Sequence, residues 1–156
     1  MSFEKIRDPR RIRHWKGDME CDYIYTAGVA GERFLTTIRD KAKFLAVRCG
    51  KCKITYLPPR IYCERCQASL DDWFEVPNTG TIQTFTTVYM DNNGNPLSKP
   101  LTLAFIQIDN TDGGLIHEVG GAKPEALRIG MRVEAVFQSK SKRTGALTDI
   151  KYFKPI

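Results

Sequence analysis

The stretch CGKCKITYLPPRIYCERC, residues 49–66, decides how this chain folds. It holds Cys49-x2-Cys52, ten residues, then Cys63-x2-Cys66. A CxxC turn sets two sulfurs on one side of a tight loop, and two such loops face to face offer four thiolates in a tetrahedron. Gly50 gives the first loop freedom, and Lys51, Lys53 and Arg65 partly offset the thiolate charge. Zinc takes four sulfurs readily, and iron in a rubredoxin-like site is the chemical rival. Four sulfurs fill the coordination sphere and leave no place for an activated water, so the expected site is structural. The competing readings are two unrelated CxxC pairs or a redox dithiol. Around the cysteines, residues 46–72 have few core-forming side chains and Pro58-Pro59 at their centre. Such a module needs a metal to fold.

Upstream, residues 1–45 read as a helical segment. Glu32 to Phe44 sets Phe34, Leu35, Ile38, Ala42 and Leu45 near one face at helical spacing. A short helix over Asp8–Trp15 is expected, with Pro9 in its first turn. Downstream, residues 73–156 read as strands. Gly80–Tyr89 and Leu101–Asp109 flank a ten-residue loop, 91–100. Leu115–Val119 makes a third strand and Pro124–Leu127 leaves room for one helical turn. Met131–Gln138 and Ala146–Phe153 close the series, joined by 140–145. Three strands, a short helix and two strands match an OB-fold, a five-stranded Greek-key barrel. An open five-stranded sheet is the alternative. The expected fold is mainly β: N-terminal helices, a rubredoxin-like zinc ribbon over 46–72, and an OB barrel.

The chain has 156 residues, 42% hydrophobic and 27% charged, an ordinary globular composition that argues against disorder. No apolar run approaches the roughly 18–20 residues that span a bilayer. The first residues, MSFEKIRDPRRIRHW, contain no apolar block, and five cysteines is an odd count. A reducing, cytoplasmic location is expected, with no disulfide scaffold and no membrane. Cys21 is read as a small buried hydrophobe. Net charge is +6: residues 1–72 carry 15 basic and 10 acidic side chains, residues 73–156 carry 9 and 8. That bias suits an anionic ligand or an acidic protein surface.

Taken with a Trp-containing N-terminal segment, YTAGVAGERFLTTIRD (25–40), FLAVRCGKCKITYLPPRIYCERC (44–66) and W-F-E-V-x-N-x-G-T-I-x-T-F-T-x-V (73–88) resemble the zinc-ribbon/OB-fold proteins called domain of unknown function 35. The resemblance covers nearly the whole chain, and its most specific piece is the two CxxC pairs around Pro58-Pro59-Arg60. It implies a ribbon packed beside a barrel and an association with acyl-CoA metabolism. It further implies a scaffold that docks on a thiolase, such as one joining acetoacetyl-CoA thiolase to hydroxymethylglutaryl-CoA synthase around a shared CoA site.

Catalytic apparatus is thin. His117 lies on a strand beside Glu118, and the other histidine is His14. No nucleophile elbow is present. Asp91-x-Asn93-x-Asn95 fails as a calcium loop, with Gly94 misplaced and Thr102 where a bidentate Glu belongs. OB barrels bind ligands at the loops joining strands one to two and four to five. Here those carry Lys99, and Lys140, Lys142 and Arg143, which could hold CoA phosphates by charge-assisted hydrogen bonds or could be solvated turns. The N-terminal basic run Arg10, Arg11, Arg13 and Lys16 has the same two readings, with an acidic protein partner as the alternative. Single-stranded nucleic acid is the competing ligand, because Phe85, Tyr89, Phe105, Phe137, Tyr152 and Phe153 sit on strands. Alternation puts Phe85 and Tyr89 on one face, opposite Ile82, Thr84, Thr86 and Val88. The low net charge of this half argues against that ligand.

Overall fold

A computed structural model describes residues 24–91 and 93–156. The expected helix at Pro9, the N-terminal basic run, His14 and Cys21 lie outside them. One α-helix, α1 (Gly28–Lys41), precedes eight strands in the described residues. Three form the ribbon: β1 (Phe44–Arg48), β2 (Thr55–Tyr56) and β3 (Asp72–Val76). Five form the barrel: β4 (Thr79–Met90), β5 (Pro96–Ile108), β6 (Gly114–Glu118), β7 (Arg132–Phe137) and β8 (Ile150–Pro155).

α1 starts four residues before Glu32 and stops three before Phe44, so Phe44 and Leu45 belong to a strand and not to the helix. The stop is imposed by tertiary partners. Ala42 turns left-handed (φ 52°) and its N–H returns to Ile38 O at 3.0 Å. Asn78 Nδ2 donates to Ala42 O at 2.9 Å, and Arg143 Nη1 donates to Arg39 O at 2.8 Å and Ile38 O at 3.2 Å. These donors take carbonyls that another helical turn would have used. Phe34 and Ile38 are buried as the periodicity requires, and Phe34 stacks on Phe44 with centroids 6.3 Å apart.

The ribbon sheet runs β2-β1-β3, all antiparallel, with Val47 between Tyr56 and Trp73. β1 serves two cores. Phe44 and Ala46 join the large cluster, while Val47 joins a small one made of Cys49, Tyr56, Cys63 and Leu70. Two of the five buried members of that small cluster are cysteines, so little apolar burial is left to hold it.

The barrel order is β6-β5-β4-β7-β8, and every neighbouring pair is antiparallel. A parallel bridge, Val119 to Phe153, joins the two outer strands, reinforced by Gly120 N to Phe153 O at 2.9 Å. That closure is the OB topology. Ile82, Ile106, Ile108, Val133, Ile150 and Phe153 fill it.

Three expectations are corrected inside the barrel. The loop between β4 and β5 is only Asp91–Asn95: the Asp91 carboxylate accepts the amides of Asn93 and Asn95, both at 2.8 Å, and closes the turn. Lys99 therefore sits on β5. A register shift between Ile82 and Thr84 flips the side-chain alternation of β4, so Ile82 and Phe85 both meet the core. The last strand begins at Ile150, because Leu147–Asp149 form a 3₁₀ turn held by the Asp149 carboxylate.

Ribbon and barrel meet at the β5–β6 turn. Thr55 N donates to Asp112 Oδ2 at 2.8 Å, and Asp112 N donates to Thr55 O at 2.9 Å. Beside them, a Cβ on Gly113 would lie 2.1 Å from Leu57 O, so only glycine allows this approach.

Candidate metal centre

Each CxxC pair is set by the same backbone device. Lys53 N donates to Cys49 O at 2.8 Å, and Cys49 N donates to Ile54 O at 2.8 Å. In the second loop Gln67 N donates to Cys63 O and Cys63 N to Ala68 O, both at 2.9 Å. The residue after each second cysteine is left-handed, Lys53 at φ 61° and Gln67 at φ 58°. The two knuckles are thus a local repeat offset by fourteen residues. The paired cysteines expose that offset, but Lys53 and Gln67 do not advertise it, since neither is the glycine such a φ favours.

The two knuckles bring the four Sγ atoms of Cys49, Cys52, Cys63 and Cys66 within 4.8 Å of one another. Cys49 and Cys66 Sγ are 3.6 Å apart. Zinc–sulfur bonds of about 2.3 Å require tetrahedral edges of about 3.8 Å. The donor set therefore fits a metal ion of the zinc class. Cys49 and Cys63 are buried and the other two are half-buried.

Tyr56 adds a contact that the sequence did not single out. Its hydroxyl donates to Cys63 Sγ at 3.3 Å. This bond holds the Cys63 thiol down to about 6 and pushes the Tyr56 phenol up to about 12. Hydrogen bonding to Cys66, with burial, pushes Cys52 up to about 12. The Tyr56 bond thus favours the Cys63 thiolate at neutral pH, and metal entry displaces thiol protons. Arg60 lies over the Tyr56 ring at 5.1 Å and fixes it from outside.

The basic residues proposed as phosphate contacts are placed differently from one another. Lys99 and Lys123 line one cavity of about 170 Å³, with Gly120, Gly121 and Glu118. Lys123 was not singled out by the sequence. Lys140 and Lys142 stand exposed on a 3₁₀ turn between β7 and β8. Arg143 is engaged with the end of α1, so its role there is to anchor the loop. Asp149, also missed, is buried and organises the same loop. Its carboxylate accepts Thr144 N at 2.8 Å and Gly145 N at 2.7 Å. Burial opposes its charge, but these amides outweigh burial and hold its carboxyl below the ordinary value.

The strand aromatics go mostly inward. Phe153 is buried, and Phe85 and Phe137 pack on the core. Phe105 and Tyr152 are half-buried, and Tyr89 is exposed. His117 meets the Phe153 ring edge-on at 5.8 Å. No helix among the described residues is long and apolar enough to cross a membrane.

Residues 73–138 match the family model for the C-terminal OB-fold domain of ChsH2. A "DUF35 domain-containing scaffold protein" of Methanocaldococcus jannaschii is 27% identical over 122 residues, 76% of this chain and 86% of that protein. A second protein of that description, from Pyrococcus furiosus, is 28% identical over 107 residues, 67% of this chain and 75% of its own length. Among solved structures, a DUF35 protein of unknown function from Sulfolobus solfataricus superposes with a TM-score of 0.62 at 24% identity, covering 82% of this chain and 84% of that one. An Ltp2-ChsH2(DUF35) aldolase chain gives 0.58 at 19% identity, covering 80% and 93%. Barrel topology and these matches agree on an OB-fold over the C-terminal half and on a similarity to DUF35 proteins along most of the chain.

Proposed function

We propose that this protein is a non-catalytic scaffold that docks on a thiolase-type enzyme and contributes to a CoA or acyl-CoA site. The observation that carries the reading is the match, over two-thirds or more of the chain, to two proteins named as scaffolds. The thiolase, and hydroxymethylglutaryl-CoA synthase as a second client, are the partners that the family resemblance implies. The cysteine quartet supports it from the side of chemistry. Zinc held by Cys49, Cys52, Cys63 and Cys66 has a full sulfur shell, so it braces the ribbon and activates no water. Lys99, Lys140 and Lys142 are the proposed phosphate contacts, with Arg143 setting the loop that carries two of them. The inward packing of Phe85, Phe137 and Phe153 supports this ligand over single-stranded nucleic acid, which needs exposed stacking rings.

Calorimetry with acetyl-CoA tests the reading, with and without a co-purified thiolase. The expected result is micromolar binding, strengthened by the thiolase and weakened about tenfold or more by Lys140→Ala with Lys142→Ala. Absence of heat in both titrations, or thioester turnover by the isolated chain, would overturn it.

A further inference from the structure

β4 and β5 extend beyond the barrel as a two-stranded arm. β4 pairs with β7 only over Thr79–Thr81, and Ile82 exchanges bonds with Gly130 and Met131 at 2.8 and 3.0 Å. From Gln83 to Met90, one edge of β4 faces no strand among the described residues. β5 likewise pairs with β6 only over Leu103–Gln107 and leaves its first residues open. A lone two-stranded ribbon is marginal in water.

The two open edges are built differently. The open β5 stretch, Pro96–Leu101, carries Pro96, Lys99 and Pro100, and Thr102 O already accepts Val119 N at 2.9 Å. Proline and lysine are the residues that keep a sheet edge from pairing. The β4 stretch, QTFTTVYM over 83–90, carries no charge and no proline. Six of its eight residues are β-branched or aromatic, the types that favour strands. Tyr89 and Met90 are 59% and 61% exposed, and Gln83, Thr84 and Thr86 are exposed beside them. One edge of the arm is blocked and the other is left ready to pair.

We infer that the open β4 edge pairs antiparallel with the same edge of a second copy of this chain, making a twofold dimer through one continuous sheet. Antiparallel pairing of identical strands satisfies twofold symmetry, because each residue meets its counterpart across the axis. The edge carries no charge to repel its own image, although the whole chain is at +6. Thr86 and Thr87 lie at the middle of the open run and so near the axis.

Analytical ultracentrifugation of the full chain tests this, together with hydrogen exchange at low and high protein concentration. The expected result is a concentration-dependent dimer whose 83–90 amides gain protection as it forms. Thr86→Lys should weaken the dimer at least tenfold, with circular dichroism and metal content unchanged. Thr86→Glu should weaken it likewise, and mixing the two variants should restore association. A monomer at millimolar concentration would overturn the proposal. So would a dimer indifferent to both substitutions, or 83–90 protection that does not vary with concentration, which would mean that one chain covers its own edge.

Discussion

Lys53 and Gln67 hold left-handed backbone at the two turns that aim the cysteines. A side chain there costs about 1–2 kcal/mol that glycine does not. Gln67→Gly should therefore stabilise the protein by about 0.5–1 kcal/mol, after the glycine's extra unfolded-state entropy is deducted. A denaturant midpoint that falls on substitution would contradict that geometry. Asp149 is the opposite kind of position, an ionised group buried on purpose. Asp149→Asn sets an amide nitrogen against backbone donors and should cost about 2 kcal/mol. Asp109, held down by the Arg132 guanidinium, and Asp149 both keep their carboxyls below the ordinary value. The unfolded chain takes up those protons first, so their stabilisation is complete above about pH 4 and is lost as pH falls further. Unfolding curves at pH 7, 4 and 3 should show the gap between wild type and Asp149→Asn closing on acidification. A gap that stays constant would refute the assignment.

Among the elements, the junction of ribbon and barrel rests on Gly113. Gly113→Ala should cost about 1–3 kcal/mol through the clash with Leu57. It should also raise hydrogen exchange at Thr55 and Asp112 before the barrel opens. Unchanged exchange at both would show that the junction is not held there. What was legible at this level follows from period and spacing. Strand order, the short turn at Pro124 and the cysteine pairs are local patterns, and the fold kept them. The misread ends share a cause: distant groups overrode local preference. Asn78 and Arg143 stop α1 from 36 and 105 residues away, and no window around Phe44 contains them. The register shift after Ile82 is one extra residue, invisible to a rule of alternation. Tyr56 reaches Cys63 only once the knuckles face each other.

For the molecule as a whole, the two modules have unequal means of standing. The barrel owns most of the large apolar core, including Ile82, Ile106, Val133 and Phe153. The ribbon's own small cluster has five buried residues, two of them cysteines. Bound zinc contributes on the order of 10 kcal/mol to small modules of this sort. The ribbon should then depend on metal while the barrel does not. The most direct measurement is elemental analysis of the purified chain joined to hydrogen exchange before and after a strong chelator. One zinc per chain is expected, with chelation stripping protection from 46–72 and leaving the barrel strands protected. A chain purified without any transition metal, or a ribbon that keeps its protection after chelation, would contradict the four-sulfur site as the ribbon's support.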